Sequence, residues 1–460
     1  MKTTPPAELS RARTSGLTGG QWMVLLAAFL GWLFDGFEIG LFPVVARPAL
    51  RNMLGGTGDA GVGEWMGIIT ACFLLGAACG GLVFGWMGDR IGRVRALSFS
   101  ILTYSFFTGF GYFAQVPWHL GFFRFIAALG MGGEWSLGVA LVMECWPEKW
   151  RPMLAGAIGA AANVGFLLVG VIARVWTVTT ESWRFMFLIG AAPALLVFFI
   201  LFVVPESGKW KASVSDKPSK PVREIFAAGL RKRTLLAVVF ASVALIGTWG
   251  SVQWLPLWAN KMAESQATLQ LRLERPQWYD ASQSPLSQSE SKAKAAREAE
   301  VRRIAGKASA DAQMVQALGA ITGCLIAPLL GAFLGRRPAY FLLCLTSLLL
   351  CGYVFRALTT FGREFLVLSY FTSLATASFY GWFPLYFPEL FPTRVRATGQ
   401  GLAYNFGRIF AAGGALAQGQ LMVSFGGSYA KAGAIVTLIY LVGMVMIWFA
   451  PETKGHPLPD

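Results

Sequence analysis

Asp35 and Glu38 stand inside Trp22–Ala46, WMVLLAAFLGWLFDGFEIGLFPVVA, a run otherwise apolar enough to cross a bilayer. A carboxylate at mid-membrane costs roughly 2.5–3.5 kcal/mol on insertion scales, so it is kept only where it meets a cavity or a countercharge. A spacing of three places both acids on one side of a helix. At about 1.5 Å per residue, Asp35 lies about 20 Å from the Trp22 end, near the middle of the hydrocarbon, with Glu38 one turn further out. The chemistry open to such a pair is reversible protonation or ion coupling on a transport route; the plainer alternative is two acids lining a water-filled crevice. Arg124 and Arg408 lie within other apolar runs, and each needs an anion there. Arg124, about 9 Å below Trp118, reaches the depth of the two acids and is expected to pair with Asp35 or Glu38 when they are ionised and to release them when they are protonated. Glu134, ten residues deeper on the same run, is expected to line the inner half of the cavity and to share in the proton coupling.

Other chemistries are excluded by what the chain lacks. Two histidines, His119 and His456, leave no His-based metal centre or triad, and no nucleophile–base pair is visible, so neither an enzyme nor a metal site is expected. The six cysteines sit in or at the ends of apolar runs without paired spacing and read as small core residues. A chain of 460 residues that is 55% hydrophobic and only 14% charged is a polytopic membrane protein. Its net charge of +15 is spread over short connections between apolar runs, which orientation in the membrane explains better than a nucleic-acid partner does. The lipid bilayer and a small solute are the expected partners, with a monomer as the unit and a proton gradient in place of a cofactor. No cleavage site follows the first apolar run, which reads as a retained helix.

The elements that must position these residues are helices. Runs of spanning length fall at 22–46, 64–87, 96–114, 118–143, 153–174, 183–204, 234–258, 313–334, 339–357, 365–387, 398–422 and 431–450. Lys and Arg concentrate in the connections that become cytoplasmic when both termini lie inside, once the long segment 260–312 is set aside. The chain then divides into a cytoplasmic tail (1–21), a six-helix bundle (22–204), a basic linker (205–233), a second six-helix bundle (234–450) with an extracytoplasmic insertion (260–312), and a cytoplasmic tail (451–460). Repetition supports the division. Gly92-Arg93 recurs as Gly335-Arg336, Glu144…Pro147…Arg151 as Glu389…Pro392…Arg396, and Pro205-Glu206-Ser207 as Pro451-Glu452-Thr453, at a nearly constant offset. Parallel repeats of this kind place a site on a pseudo-two-fold axis along the membrane normal. The Ala-rich, charged stretch SESKAKAAREAEVRRIAGKASADAQ in the insertion reads as a solvated helix outside the membrane, with a lid or docking role as the alternative.

The loop Gly85-Trp86-Met87-Gly88-Asp89-Arg90-Ile91-Gly92-Arg93 resembles the hallmark Gly-x-x-x-Asp-Arg-x-Gly-Arg of the major facilitator superfamily. The resemblance implies the fold: an all-α integral membrane protein of twelve transmembrane helices in two pseudo-symmetric six-helix bundles. It also implies a cytoplasmic gate in which Asp89 meets the N-terminus of the eleventh helix while Arg90 and Arg93 bridge to acids at helix ends. Glu144, Arg151, Glu389 and Arg396 are assigned to the same gate. Ala332 stands where the second copy of the loop should carry its acid, so the two halves should latch unequally.

Arg124-Phe125-Ile126-Ala127-Ala128-Leu129-Gly130-Met131-Gly132-Gly133-Glu134 is similar to the family's Arg-x-x-x-Gly-x-Gly-x-Gly element, and Asp35-Gly36-Phe37-Glu38 is similar to the Asp-Gly-x-Asp of its aromatic-acid and sialic-acid symporters, with Glu for the second Asp. The chain has Gly159 where sugar porters place Gln, and lacks their Gln-Gln motif in the seventh span, which disfavours a hexose. The antiporter element Gly-Pro-x-x-Gly-Gly is absent from the fifth span. The resemblance therefore implies proton-coupled symport of a small anionic organic solute in the plasma membrane, the inner membrane of a Gram-negative cell. A neutral-solute facilitator and a non-transporting sensor are the alternatives. Arg408, about 15 Å into the eleventh helix, is the expected substrate contact, with an ion pair inside its own half as the alternative. Trp249, Gln253, Trp254, Tyr380, Trp382, Asn405 and Asn163 are the expected stacking faces and hydrogen-bonding groups around the solute.

Overall fold

The computed structural model describes residues 17–55, 59–175, 180–216, 220–278, 287–424 and 429–459. Helices account for each of the twelve spans read from the sequence. The first half contains α1 (Gly19–Met53), α2 (Asp59–Ile91), α3 (Arg93–Phe110), α4 (Pro117–Cys145), α5 (Arg151–Val175) and a broken α6 (Trp183–Gly190 and Ala194–Val203). The second contains α7 (Ala228–Trp249), α8 (Gln288–Leu334), α9 (Arg336–Ala357), α10 (Arg363–Leu390), α11 (Arg396–Ser424) and a broken α12 (Tyr429–Val436 and Ile439–Met446). The α1 helix starts from a capping box in which Thr18 and Gln21 satisfy each other's backbone N–H groups. Within each half α2 packs on α4 and α8 on α10; across the halves α2 packs on α11 and α5 on α8.

The repeated motifs carry repeated geometry. Glu206, just past α6, accepts the N–H groups of Arg93 and Val94 at 3.0 and 3.1 Å; Glu452, just past α12, accepts those of Arg336 and Arg337 at 2.9 and 3.0 Å. Each carboxylate thus caps the N-terminus of the third helix of its own half, where orphan N–H groups and the helix dipole favour negative charge. Gly92 and Gly335 precede the capped helices with φ of +109° and +104°, a region that L side chains avoid, and a Cβ on Gly92 would run into the Glu206 carboxylate. Although burial works against ionisation, the N–H groups of Arg336, Arg337, Lys454 and Thr453 hold the Glu452 carboxyl below the usual range.

Between the halves the helices meet through small residues. A Cβ on Gly401 of α11 would strike the Gly81 carbonyl of α2, and one on Gly159 of α5 would lie 2.6 Å from the Tyr380 carbonyl oxygen of α10. We expect Gly401→Val to wedge α2 from α11 at the about 1–3 kcal/mol typical of overpacking. Hydrogen exchange should then accelerate in 76–91 and 396–408 while the interior of α9 stays unchanged. Uniform protection in the variant would exclude the wedge.

The insertion is an antiparallel helical hairpin. After a break at Gly250–Trp254, α7 continues as a helix over Leu255–Glu274, and the chain returns as α8, which runs unbroken for 47 residues from a Ser287–Glu290 capping box. Between the arms Leu271, Trp278 and Val301 form a buried apolar cluster with Ala267 packed against it, Ala263, Ala305 and Ala308 are buried along the same helices, and Lys294 Nζ donates to the Trp278 carbonyl at 2.8 Å. The hairpin is held to the second half: Gln266 accepts the Phe361 N–H at 3.2 Å, and Trp258 packs between Phe355 and Phe365.

Candidate functional site

The α1 helix presents its two acids to different neighbours. The Glu38 carboxylate pairs with Arg124 of α4, whose guanidinium lies between the rings of Phe42 and Phe73 at 5.0 and 4.8 Å. The pair is internal to the first half, with Thr108 of α3 beside Glu38. Asp35 instead faces Glu134 of α4 and the guanidinium of Arg408 on α11. All three are at least 96% buried. Gly31 makes room for this arrangement, since a Cβ there would collide with the Glu134 carboxylate.

Around the charged trio stands a set of rings of which the sequence reading singled out Tyr380 and passed over Trp32, Trp135, Phe383 and Tyr404. Tyr404 of α11 stacks on Trp135 of α4 with centroids 4.0 Å apart and planes at 15°, and it meets Trp32 of α1 edge-on at 6.1 Å. Tyr380 and Phe383 of α10 lie 6.3 and 6.2 Å from it, and Arg408 Cζ sits 5.7 Å from its ring. The Thr248 hydroxyl of α7 lies beside that of Tyr380. Among the described residues, Asp35 Oδ1, both Glu134 oxygens, Arg408 Nε, the Tyr380 hydroxyl and the indole nitrogens of Trp32 and Trp135 are buried without a hydrogen-bond partner. Unsatisfied buried groups cost about 1–3 kcal/mol each, so a cluster drawn from four helices of both halves marks a place built to be solvated or occupied. The missed rings share their composition with ordinary core; only the i, i+4 spacing of Tyr404 to Arg408 and the adjacency of Trp135 to Glu134 could have signalled them.

The remaining expected contacts are distributed elsewhere. Trp382 packs in the interior of the second bundle against Tyr340 and Tyr386 at 4.8 and 4.6 Å, because residue 382 turns away from the face that carries Tyr380. Asn405 donates to the Gly132 carbonyl at 2.7 Å and to that of Gly401, and so ties α11 to α4 rather than facing the trio. Asn163 looks across from α5 to Cys324 Sγ of α8 at 3.9 Å. Trp249 and Trp254 are half-buried at the outer end of α7 and Gln253 is exposed.

A buried polar network closes the end of the two bundles that the sequence assigns to the cytoplasm. Asp89 accepts the N–H groups of Ala397 and Thr398 at 3.2 and 2.8 Å, at the N-terminus of α11, and the Thr398 hydroxyl at 2.5 Å. Arg93 donates to Asp89 at 2.6 Å, to Glu144 at 3.1 Å and to the Thr393 carbonyl at 2.7 Å. Arg396 donates to Glu144 across the halves at 2.9 Å, while its other amino group meets the Pro459 carbonyl at 2.8 Å. The second half repeats only the internal portion: Arg336 grips Glu389 through two bonds of 2.9 and 2.6 Å. Arg90 does not join. One turn from Trp86, it points to the outer face of α2 and lies 5.2 Å over the indole ring. Arg151 pairs at 2.7 Å with Glu148 of its own half, because Glu389 is already held by Arg336.

A family model described as the Major Facilitator Superfamily matches residues 20–271. A putative metabolite transport protein of Haemophilus influenzae is 27% identical, covering 95% of this chain and 98% of its own. A cis,cis-muconate transport protein of Acinetobacter baylyi is 26% identical, covering 97% and 99%. Among solved structures, the proton:xylose symporter XylE bound to 6-bromo-6-deoxy-D-glucose superposes with a TM-score of 0.70 at 18% identity, covering 95% of this chain and 97% of that one, a likeness of fold.

Proposed function

The chain belongs to the Major Facilitator Superfamily of multi-pass membrane transporters, and we propose that it is a proton-coupled symporter of a small, planar organic carboxylate. One observation carries the reading: Asp35, Glu134 and Arg408, from α1, α4 and α11, meet in a buried cluster walled by aromatic faces. A guanidinium offers a carboxylate a charge-assisted partner, and the rings of Tyr404, Tyr380 and Trp32 suit a flat conjugated body better than a puckered sugar. Two buried carboxyls side by side disfavour joint ionisation, which makes Asp35 and Glu134 a place for a proton to be carried, with Arg408 as the countercharge.

Coupling then follows from competition for one cation. When the solute's carboxylate takes Arg408, Asp35 loses its countercharge and takes up a proton from the side that is open. Solute and proton enter the loaded state together and leave together. The Glu38–Arg124 pair stays within the first half, where it orients α1 against α4 and keeps the adjacent acid in place. The muconate carrier of Acinetobacter lends support by the class of solute in its name.

The experiment is uptake into proteoliposomes of benzoate, cis,cis-muconate and xylose, with and without an acid exterior. Acid-stimulated uptake of the carboxylates alone supports the reading, and transport of xylose independent of pH overturns it. In the same assay Arg408→Ala should raise the KM for benzoate by tenfold or more, because a buried charge pair is lost from the bound state. A KM unchanged from the parent would remove Arg408 from the site.

A further inference from the structure

We propose that Gln400 is the release-side station of the transport route, the first polar group a solute meets on its way from the central cluster to the cytoplasm. This rests on the reading of the chain as an alternating-access carrier of a small carboxylate.

Arg396, Gln400, Tyr404 and Arg408 recur every fourth residue on α11 and so share one side of it, about 6 Å apart along the axis. The neighbours of this column are fixed at two levels. Arg396 bonds to Glu144 of α4, and Tyr404 stacks on Trp135 of the same helix. The helices run antiparallel, and the segment from Trp135 to Glu144, about 13 Å, matches the about 12 Å from Tyr404 down to Arg396. Gln400 therefore comes level with Val139 and Ala140, both fully buried and apolar.

Gln400 is itself 0% exposed, and neither its amide oxygen nor its amide nitrogen has a hydrogen-bond partner among the described residues. A buried amide in a permanent core ordinarily has its donors and acceptor paired. This one lies in a seam between the two halves, with a cross-half ion pair beneath it and a cross-half ring stack above it. Both contacts must part for the cytoplasmic side to open, and the amide is then wetted. In the closed state it is an unsatisfied group that favours opening. In the open state it supplies a donor for a carboxylate and an acceptor for a hydroxyl or water, one step below the parted Trp135–Tyr404 stack.

Two measurements test this. First, with the native cysteines replaced by serine, Gln400→Cys is treated with a membrane-impermeant thiol reagent from the cytoplasmic side. Labelling should be at least tenfold faster when Glu144→Gln has broken the ion pairs below; equal rates in the two backgrounds would overturn the placement. Second, Gln400→Leu should lower the turnover of benzoate uptake at least fivefold while the KM measured from outside stays within twofold, and Gln400→Asn should recover most of the turnover. Unchanged turnover would leave Gln400 as packing, and a KM shifted as much as turnover would move it into the central cluster; either overturns the inference. The labelling arm needs no solute. If it succeeds while benzoate is not carried, only the assignment of the solute fails.

Discussion

Asp35→Asn should reduce proton-driven accumulation of benzoate to simple equilibration. In an electroneutral cotransport of one proton with each anion, each pH unit across the membrane is worth about 1.4 kcal/mol, or about tenfold accumulation. The parent, with the outside one unit more acid, should approach that ratio; the variant should stop at a ratio of one at any external pH. The substitution keeps the size of the side chain and leaves Glu134 beside it, so a solute can still bind Arg408 and counterflow against unlabelled solute should persist. Undiminished accumulation by Asp35→Asn would take the proton away from this position. Glu38→Gln distinguishes the two acids. Its carboxylate belongs to the Arg124 pair, and its loss should lower stability, read as a fall in Tm, before it alters the dependence of uptake on pH.

The second large effect is expected at the cytoplasmic network. Glu144 receives both Arg93 and Arg396, and in Glu144→Gln these two guanidinium groups are left buried with one compensating charge fewer. Removing one partner of a buried ion pair costs about 3–5 kcal/mol, and here the cost falls on the closed arrangement alone, because opening rehydrates both cations. That is a shift of about two to four orders of magnitude in the ratio of closed to open. Spin labels at Arg95 and Lys232, exposed positions on opposite halves, should show the distance distribution move to longer values. An unmoved distribution would mean that the glycine contacts between α2 and α11 hold the seam without the ions.

Most of the architecture was legible because membrane burial writes itself into sequence as length and apolarity, and because duplication left matching Gly-Arg, Glu-x-x-Pro-x-x-x-Arg and Pro-Glu signatures whose partners the fold brings together. The unequal latch was legible too, from Ala332 opposite Asp89. Contacts made by direction rather than by type were not. Asp35 and Glu38, three residues apart, point about 60° away from one another, enough to give one to Arg408 and the other to Arg124. Trp382 and Tyr380 look alike as residues, yet two positions on a helix send one into a bundle interior and the other toward Tyr404. Arg90 and Arg93 belong to one motif, but the turn at Gly92 places Arg93 at the start of a new helix and leaves Arg90 on the outer face of the old one. The interruption of α12 at Thr437–Leu438 carries no proline to announce it.

The unbroken α8 has a mechanical corollary. Its first stretch of about 25 residues, Gln288 to Ala312, extends about 37 Å past the stretch read as its span, and the ties of this hairpin run to α7, α9 and α10, so the arm should turn as one body with the second bundle. A rotation of that bundle by about ten degrees would sweep the far end through about 6 Å from the arm's own length. Each turn of an alternating-access cycle should then appear as a stroke of the arm, large enough for an optical probe on it to count turnovers one molecule at a time.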